Sequence, residues 1–173
     1  MGDRLYFYSG SKDCMPGSGI HEQVNNVTDY KYLIDTKDWR KMLSNFWESP
    51  FEVKEIRWNT VEHMYQAYKL STGDKDIAYS MCLNSGSDLS KSGGLAARNM
   101  RKAITLNKKQ LDEWQSLKDR VLEAALYAKF SQHEYLKRVL IATAPAELWH
   151  GAARIPPSRQ SILEKVRDRL ASE

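Results

Sequence analysis

The sequence predicts an α+β fold, mainly helical, with a small sheet near its N-terminus. Three observations predict it. Hydrophobic residues make up 42% and charged residues 28% of the 173 residues, the balance of an ordinary globular chain. Strand-like alternation is confined to the first third of the chain. Helical periodicity with capping signals fills most of the rest, and such segregated runs favour α+β over alternating α/β. The length suits one domain over residues 1–173, with enough chain to bury a core without disulfide or metal staples.

The elements follow in order. Residues 5–8 read as a short strand. Residues 12–19, KDCMPGSG, carry turn chemistry in Pro16, Gly17 and Gly19. Residues 51–58, FEVKEIRW, alternate enough for a strand or hairpin arm. Phe51, Val53, Ile56 and Trp58 would face the core, with one slip in register. After Trp58 the period becomes helical: Val61, Met64, Tyr65 and Tyr68 share a stripe, Asn59-Thr60 can cap the helix, and Asn59 to Glu62 has capping-box spacing. A second short helix is expected over 76–83, then a flexible loop, NSGSDLSKSGG. The longest helix is expected over 107–129, with Leu111, Trp114, Leu117, Val121, Ala125 and Ala128 on one stripe. Ser131, with Glu134 three residues on, opens another helix whose apolar face is Leu136, Val139 and Leu140. Pro156 and Pro157 interrupt the chain, and Ser158 caps a last helix carrying Ile162, Leu163, Val166 and Leu170.

Composition narrows the chemistry. Lys and Arg number 26 against 22 Asp and Glu, a net charge of +4 that suits an anionic ligand without a polybasic tail. Cys14 and Cys82 are too few for a disulfide framework or a zinc site, and fit a reducing, cytoplasmic setting. His21, His63, His133 and His150 lack metal-ligand spacing, so neither metal nor cofactor is expected. No apolar run approaches the roughly 18 residues of a membrane helix, and the start MGDRLYFYSGS lacks the apolar region of a secretory signal. Asp3 after Gly2, and Tyr6 where Ser or Thr belongs, argue against myristoylation. There is no Walker loop, no dinucleotide fingerprint and no Ser-His-Asp ordering.

One helix face can carry chemistry. In TVEHMYQAYKL, residues 60–70, Glu62, Gln66 and Lys69 are spaced i, i+4, i+7 and form one polar stripe. A carboxylate, an amide and an amine on one line offer an acid/base, an orienting group and a nucleophile. A solvated helix face with ordinary side-chain pairs has the same pattern. Upstream, LSNFWESP supplies Ser44 and Asn45 as hydrogen-bonding groups, and Phe46 and Trp47 as flat faces for a base. The competing reading puts these aromatics in the core. Arg98 and Arg101, in a basic stretch continuing to Lys109, can clamp phosphate through charge-assisted hydrogen bonds or simply face solvent.

These segments, in the order LSNFWESPF, WNTVEHMYQAYK, AARNMR, KDRVLEAALYAKFSQ and ATAPAEL, resemble the NADAR superfamily, also called YbiA-like. The resemblance runs over roughly residues 5 to 170. It implies a metal-free, cofactor-free N-glycosidase that cleaves a base–ribose bond. One branch of the family acts on phosphorylated riboflavin-pathway intermediates. Another removes ADP-ribose from guanine in nucleotides or nucleic acid. Family members of the first kind carry a YWGDG cluster after the ATAPA helix, whereas ELWHGAARIPPSRQ follows here, so a carboxylate role from that cluster does not transfer. This departure favours the ADP-ribosyl-guanine branch, with ADP-ribosylated guanine as substrate. The resemblance places a Schiff-base lysine at Lys69, with Glu62 as its proton shuttle. Asn45 and Gln66 would then orient ribose hydroxyls, with Ser44 also binding substrate, Phe46 and Trp47 would stack on the base or shape its pocket, and Arg98 and Arg101 would hold phosphate. The alternatives are a riboflavin-precursor glycosidase and a non-catalytic module that binds ADP-ribose, NAD or nucleic acid through the basic stretch.

Overall fold

A computed structural model describes residues 2–152 and 154–173. In chain order the elements are β1 (Arg4–Phe7), α1 (Lys31–Ile34), α2 (Trp39–Leu43), β2 (Phe51–Val53), β3 (Ile56–Trp58), α3 (Val61–Ser71) and α4 (Lys75–Ser80). They continue with α5 (Gly94–Asn99), α6 (Lys108–Gln132), α7 (Glu134–Ile141), β4 (Glu147–Ala152), β5 (Ile155–Arg159) and α8 (Ser161–Ser172). The fold is α+β. It divides into two compact units, one of Met1–Ser44 with His133–Glu173, the other of Asn45–Gln132.

The first unit is built on a three-stranded sheet in the order β1-β4-β5. β1 runs parallel to β4, and β4 turns back on β5. Two strands of this sheet therefore come from the C-terminal part, where the sequence pattern showed only helix. The two prolines do not break the chain there: they lie within β5, and the last helix starts at Ser161 without a side-chain cap from Ser158. Proline is compatible with an edge strand, where a missing N–H costs no ladder bond. Leu5 and Phe7 alternate into the core and are buried, as are Leu148, Leu136, Val139, Leu140, Leu163 and Val166. Tyr6 alternates to the other face, where its ring stacks on Trp149 at 6.0 Å.

The second unit centres on α3, which packs against α4, α5 and α6. Phe51–Trp58 forms a β2–β3 hairpin, and its register slip is a two-residue turn in which Lys54 and Glu55 both have positive φ, 50° and 66°. Phe51 and Trp58 are buried. The α3 cap is Thr60, whose side chain accepts from the His63 N–H, rather than Asn59. Asn59 is used elsewhere, donating to the Ser92 carbonyl at 2.9 Å. The short helix expected at 76–83 is α4, capped by Asp74. α6 runs on through Ser131, so the expected capping box does not form; the Ser131 hydroxyl donates to Ala128 within the helix. Gln132 instead grips strand β2, accepting from the Glu52 N–H and donating to its carbonyl. Trp114, Val121, Ala125 and Ala128 are buried as expected, while Leu111 is exposed. The segment NSGSDLSKSGG is ordered by serine side chains, with Ser90 fully buried and donating to the Ser87 carbonyl.

Candidate functional site

The site expected on the Glu62 stripe lies in the second unit, on a helix whose start is fixed by its own sequence. Thr60 holds the first turn of α3, and the Glu62 N–H donates to the Asn45 carbonyl at 3.1 Å. This bond ties the segment holding Asn45, Phe46 and Trp47 to the helix that carries the acid. Glu62 and Gln66 are buried, at 8% and 6% exposure, so this face of α3 is not a solvated one. The Gln66 amide donates to Glu62 Oε1 at 2.8 Å. The amide oxygen of Gln66 is buried and has no donor among the described residues. Such a vacant acceptor is costly unless something fills it.

Burial pushes the Glu62 carboxyl above its ordinary range, against the Gln66 hydrogen bond and the nearby charges of Arg98 and Arg101, which favour ionisation. The two arginines are themselves exposed, on α5 and the 3-10 turn that follows it, yet their charge reaches the carboxyl. A carboxyl whose protonated form is favoured by burial, with cations nearby that favour the ionised form, is suited to giving and retaking a proton. Lys69 is half-buried on the same stripe, two turns along from Glu62, and its ammonium forms no ion pair among the described residues.

Asn45, Phe46 and Trp47 are half-buried, neither core residues nor fully exposed. Phe46 is fixed by a close approach: a Cβ on Gly94 would fall 2.5 Å from its ring, so only glycine fits there. Gly94 starts α5, so the helix bearing Arg98 is seated directly on Phe46. Ser44 is buried at the end of α2, in the first unit. The structure thus gathers Asn45, Phe46, Glu62, Gln66, Arg98 and Arg101 around one end of α3. A cavity of about 260 Å³ in the second unit is lined by Trp58, Ala67, Tyr68 and their neighbours.

Three further groups of this unit were given no functional role from the sequence. Tyr65 stands edge-on to Trp114 at 4.8 Å, and its phenol is pushed up by burial and by the charges of Glu62 and Asp119. His63 is fully buried, with Nδ1 2.8 Å from the Thr60 hydroxyl and Nε2 3.0 Å from the Leu89 carbonyl. It ties α3 to the serine-rich segment. Lys129 is fully buried in α6, and burial lowers its pKa to about 7. Its position was legible: it follows Val121 and Ala125 at i+4 steps, on the apolar stripe of its helix. Among the described residues no group of three His, Cys, Asp or Glu is placed to hold a metal ion, and no helix is long and apolar enough to cross a membrane.

Comparison with known proteins gives the family. Proteins named N-glycosidase YbiA are similar to this chain: that of Shigella flexneri is 36% identical over 105 residues, and that of Escherichia coli K12 is 34% identical over the same length. Each alignment covers 61% of this chain and 59% of the relative, so the chain matches less than two thirds of these curated relatives. An N-glycosidase of Nostoc punctiforme is 27% identical over 100 residues, 58% of this chain and 59% of its own. The NMR structure of E. coli YbiA superposes with a TM-score of 0.61 at 30% identity, covering 79% of this chain and 81% of that one. Residues 32–154, which take in the whole of α3 and every side chain gathered around it, match the NADAR domain, and the chain belongs to the NADAR domain family.

Proposed function

We propose that the chain is an N-glycosidase that removes ADP-ribose from ADP-ribosylated guanine, in nucleotide or nucleic acid, through a Schiff base on Lys69. The observation that carries this reading is the buried Glu62 carboxyl, held above its ordinary range beside two arginines, on the same helical stripe as the Lys69 amine. The names of the similar proteins support cleavage of an N-glycosidic bond. The absence of the acidic cluster after ATAPA supports the guanine branch over the riboflavin one.

The steps balance as follows. The Lys69 nitrogen lone pair forms a bond to the anomeric carbon. The bond from that carbon to the base nitrogen breaks, and the departing nitrogen takes the Glu62 proton. Glu62, now ionised, takes a proton from the attached lysine nitrogen. It returns that proton to the ring oxygen as the sugar opens, leaving a protonated imine between Lys69 and the sugar. Water adds to the imine carbon and gives a proton to Glu62. Collapse of the adduct frees the amine and releases ADP-ribose. Gln66 orients Glu62 through its amide, and its vacant oxygen accepts a substrate donor. Asn45 binds a ribose hydroxyl, as Ser44 does in this reading. Phe46 and Trp47 lie against the base, and Arg98 and Arg101 take the pyrophosphate.

The test is borohydride trapping. Incubated with an ADP-ribosylated guanine oligonucleotide and borohydride, the protein is expected to gain an adduct of the sugar on Lys69, located by peptide mass. Lys69→Ala should abolish both adduct and turnover while leaving substrate affinity within a few-fold. An adduct that persists in that variant, or turnover that survives it, overturns the role of Lys69. Release of base from a riboflavin precursor but not from the oligonucleotide moves the enzyme to the other branch.

A further inference from the structure

The first unit has a cavity of its own, about 420 Å³, within the size range of small-molecule sites. One wall is aromatic. Tyr6 and Tyr8, two residues apart, both line it, and Tyr6 is backed by Trp149. Tyr8 is set in place by Gly10, where an added Cβ would come within 2.7 Å of the Tyr8 ring. Lys12, Cys14, Ile20 and Arg40 also line it. Ile20 is 64% exposed, an apolar surface left open at this rim.

A loop in this lining is held rigid at considerable cost. The Glu22 carboxylate, its side chain fully buried, accepts from the backbone N–H groups of Tyr6, Gly17 and Gly19. It also receives both Nε and Nη2 of Arg40, at 2.9 and 2.8 Å. The same guanidinium donates to the carbonyls of Cys14 and Met15. Gly17 has a φ of +88°, and a Cβ on Gly19 would lie 2.6 Å from the Glu22 carboxyl carbon. A buried ion pair contributes little net stability but fixes geometry. Here it gives a surface loop one shape in advance of any ligand, which lowers the ordering cost of binding.

The lining sets the ligand. Of the two cationic side chains in the lining, Arg40 is committed to Glu22, whereas Lys12 forms no ion pair among the described residues; the lining carboxylate, Asp13, already accepts from the Asp38 N–H. Rigid aromatic faces favour a flat ring, and the unpaired Lys12 ammonium favours an anionic group at the rim. A simple aromatic acid would leave most of the volume empty. We propose that this cavity binds a planar aromatic ring bearing an anionic group, with the size and chemistry of a mononucleotide. The ring lies against Tyr8 and Ile20, and the anion reaches Lys12.

Formycin 5′-monophosphate tests this, because its ring and sugar are joined by a carbon–carbon bond that a glycosidase cannot hydrolyse. The readout is binding alone, so it is independent of the glycosidase reading. Titration calorimetry should show formycin monophosphate binding at least tenfold more tightly than formycin, and inorganic phosphate more weakly than either. Tyr8→Ala should weaken the nucleotide and the nucleoside alike, by roughly tenfold. Lys12→Glu should weaken the nucleotide by roughly tenfold and leave the nucleoside unchanged. Lys12 is an exposed rim residue, so this variant keeps the test valid should Tyr8→Ala unfold. No binding at millimolar nucleotide, or binding indifferent to Lys12→Glu, overturns the proposal.

Discussion

Glu22 in the first unit and Glu62 in the second are both buried carboxylates, and the chain treats them in opposite ways. Glu22 is saturated: three backbone N–H groups and two guanidinium N–H groups converge on its oxygens. Glu62 has the amide of Gln66 on one oxygen and more distant arginine charges beyond it. Saturation makes a carboxylate an anchor, because every lone pair is committed and removing one partner strands the others. Partial satisfaction makes it a reagent, because burial favours the protonated form and the proton can be given up when a better acceptor arrives. Two carboxylates of the same chemistry thus become a loop clamp and a candidate acid, and the difference lies only in the donors around them.

The largest effect expected from this contrast is on activity. Glu62→Gln keeps the shape and removes the proton, so turnover of the proposed substrate should fall by roughly 10²- to 10⁴-fold. Folding should survive, with a thermal midpoint unchanged or raised. Because burial raises the Glu62 carboxyl, the folded state holds a proton that the unfolded state has released above its ordinary range. Stability from this group therefore falls as pH rises through that window, and Gln has no such slope. A large loss of stability in this variant would show that Glu62 is also an anchor and erase the contrast.

The mirror variant is Arg40→Met. It leaves Glu22 buried with its amide donors but without its cation, and should cost about 3–5 kcal/mol in urea unfolding. The cavity beside it should lose its shape, while Lys69 trapping, carried by the other unit, should persist wherever the protein remains folded. A cost near zero would mean that the three backbone donors suffice, and that the arginine serves the cavity rather than the clamp.

How much of this was legible in the sequence depended on whether the signal was local. The α3 stripe was read correctly because 3.6-residue periodicity places Glu62, Gln66 and Lys69 on one face whatever surrounds it. Whether that face meets solvent is a tertiary question, and the burial of Glu62 and Gln66 came only from packing. Strand β5 was missed because Pro156 and Pro157 signal a break, while an edge position makes them harmless. Ser131 resembled a cap because Glu134 stands at the right spacing, but α6 continued past it, and the Gln132 side chain engaged β2. The Glu22–Arg40 clamp joins residues 18 apart in sequence with no periodic pattern between them, so no local rule could have found it.

A buried cation sharpens the comparison at smaller scale. Arg40 is paired with Glu22, whereas burial brings the Lys129 pKa down to about 7. The unfolded chain binds a proton at Lys129 up to the ordinary lysine range near 10.5, and the folded chain releases it about three units lower. Stability from this group is therefore full above the unfolded value and is lost as pH falls toward 7. Urea unfolding should show stability rising by about 1 kcal/mol per pH unit between pH 7.5 and 9.5 from this source. Lys129→Met should remove that slope, and a variant that retains it would place the titrating group elsewhere.

The smallest effect separates two neighbours whose slopes oppose. Burial lowers the His63 pKa, so the folded state resists a proton that the unfolded state takes up below about 6.5. Stability from His63 is present above that value and is lost on acidification, the reverse of Glu62 beside it. The neutral ring is held at both nitrogens: Nε2–H donates to the Leu89 carbonyl, and Nδ1 accepts from the Thr60 hydroxyl. A second ring proton would compete with that hydroxyl. In the wild type the two slopes partly cancel wherever their windows overlap, between the ordinary carboxyl value of 4.5 and the ordinary histidine value of 6.5. In Glu62→Gln the His63 slope should stand alone, so stability should fall more steeply with acid, by a few tenths of a kcal/mol per pH unit. Adding His63→Asn should flatten it again. If Glu62→Gln leaves the acid slope unchanged, the Glu62 carboxyl is not titrating in this range, and its candidacy as a proton carrier near neutrality fails with it.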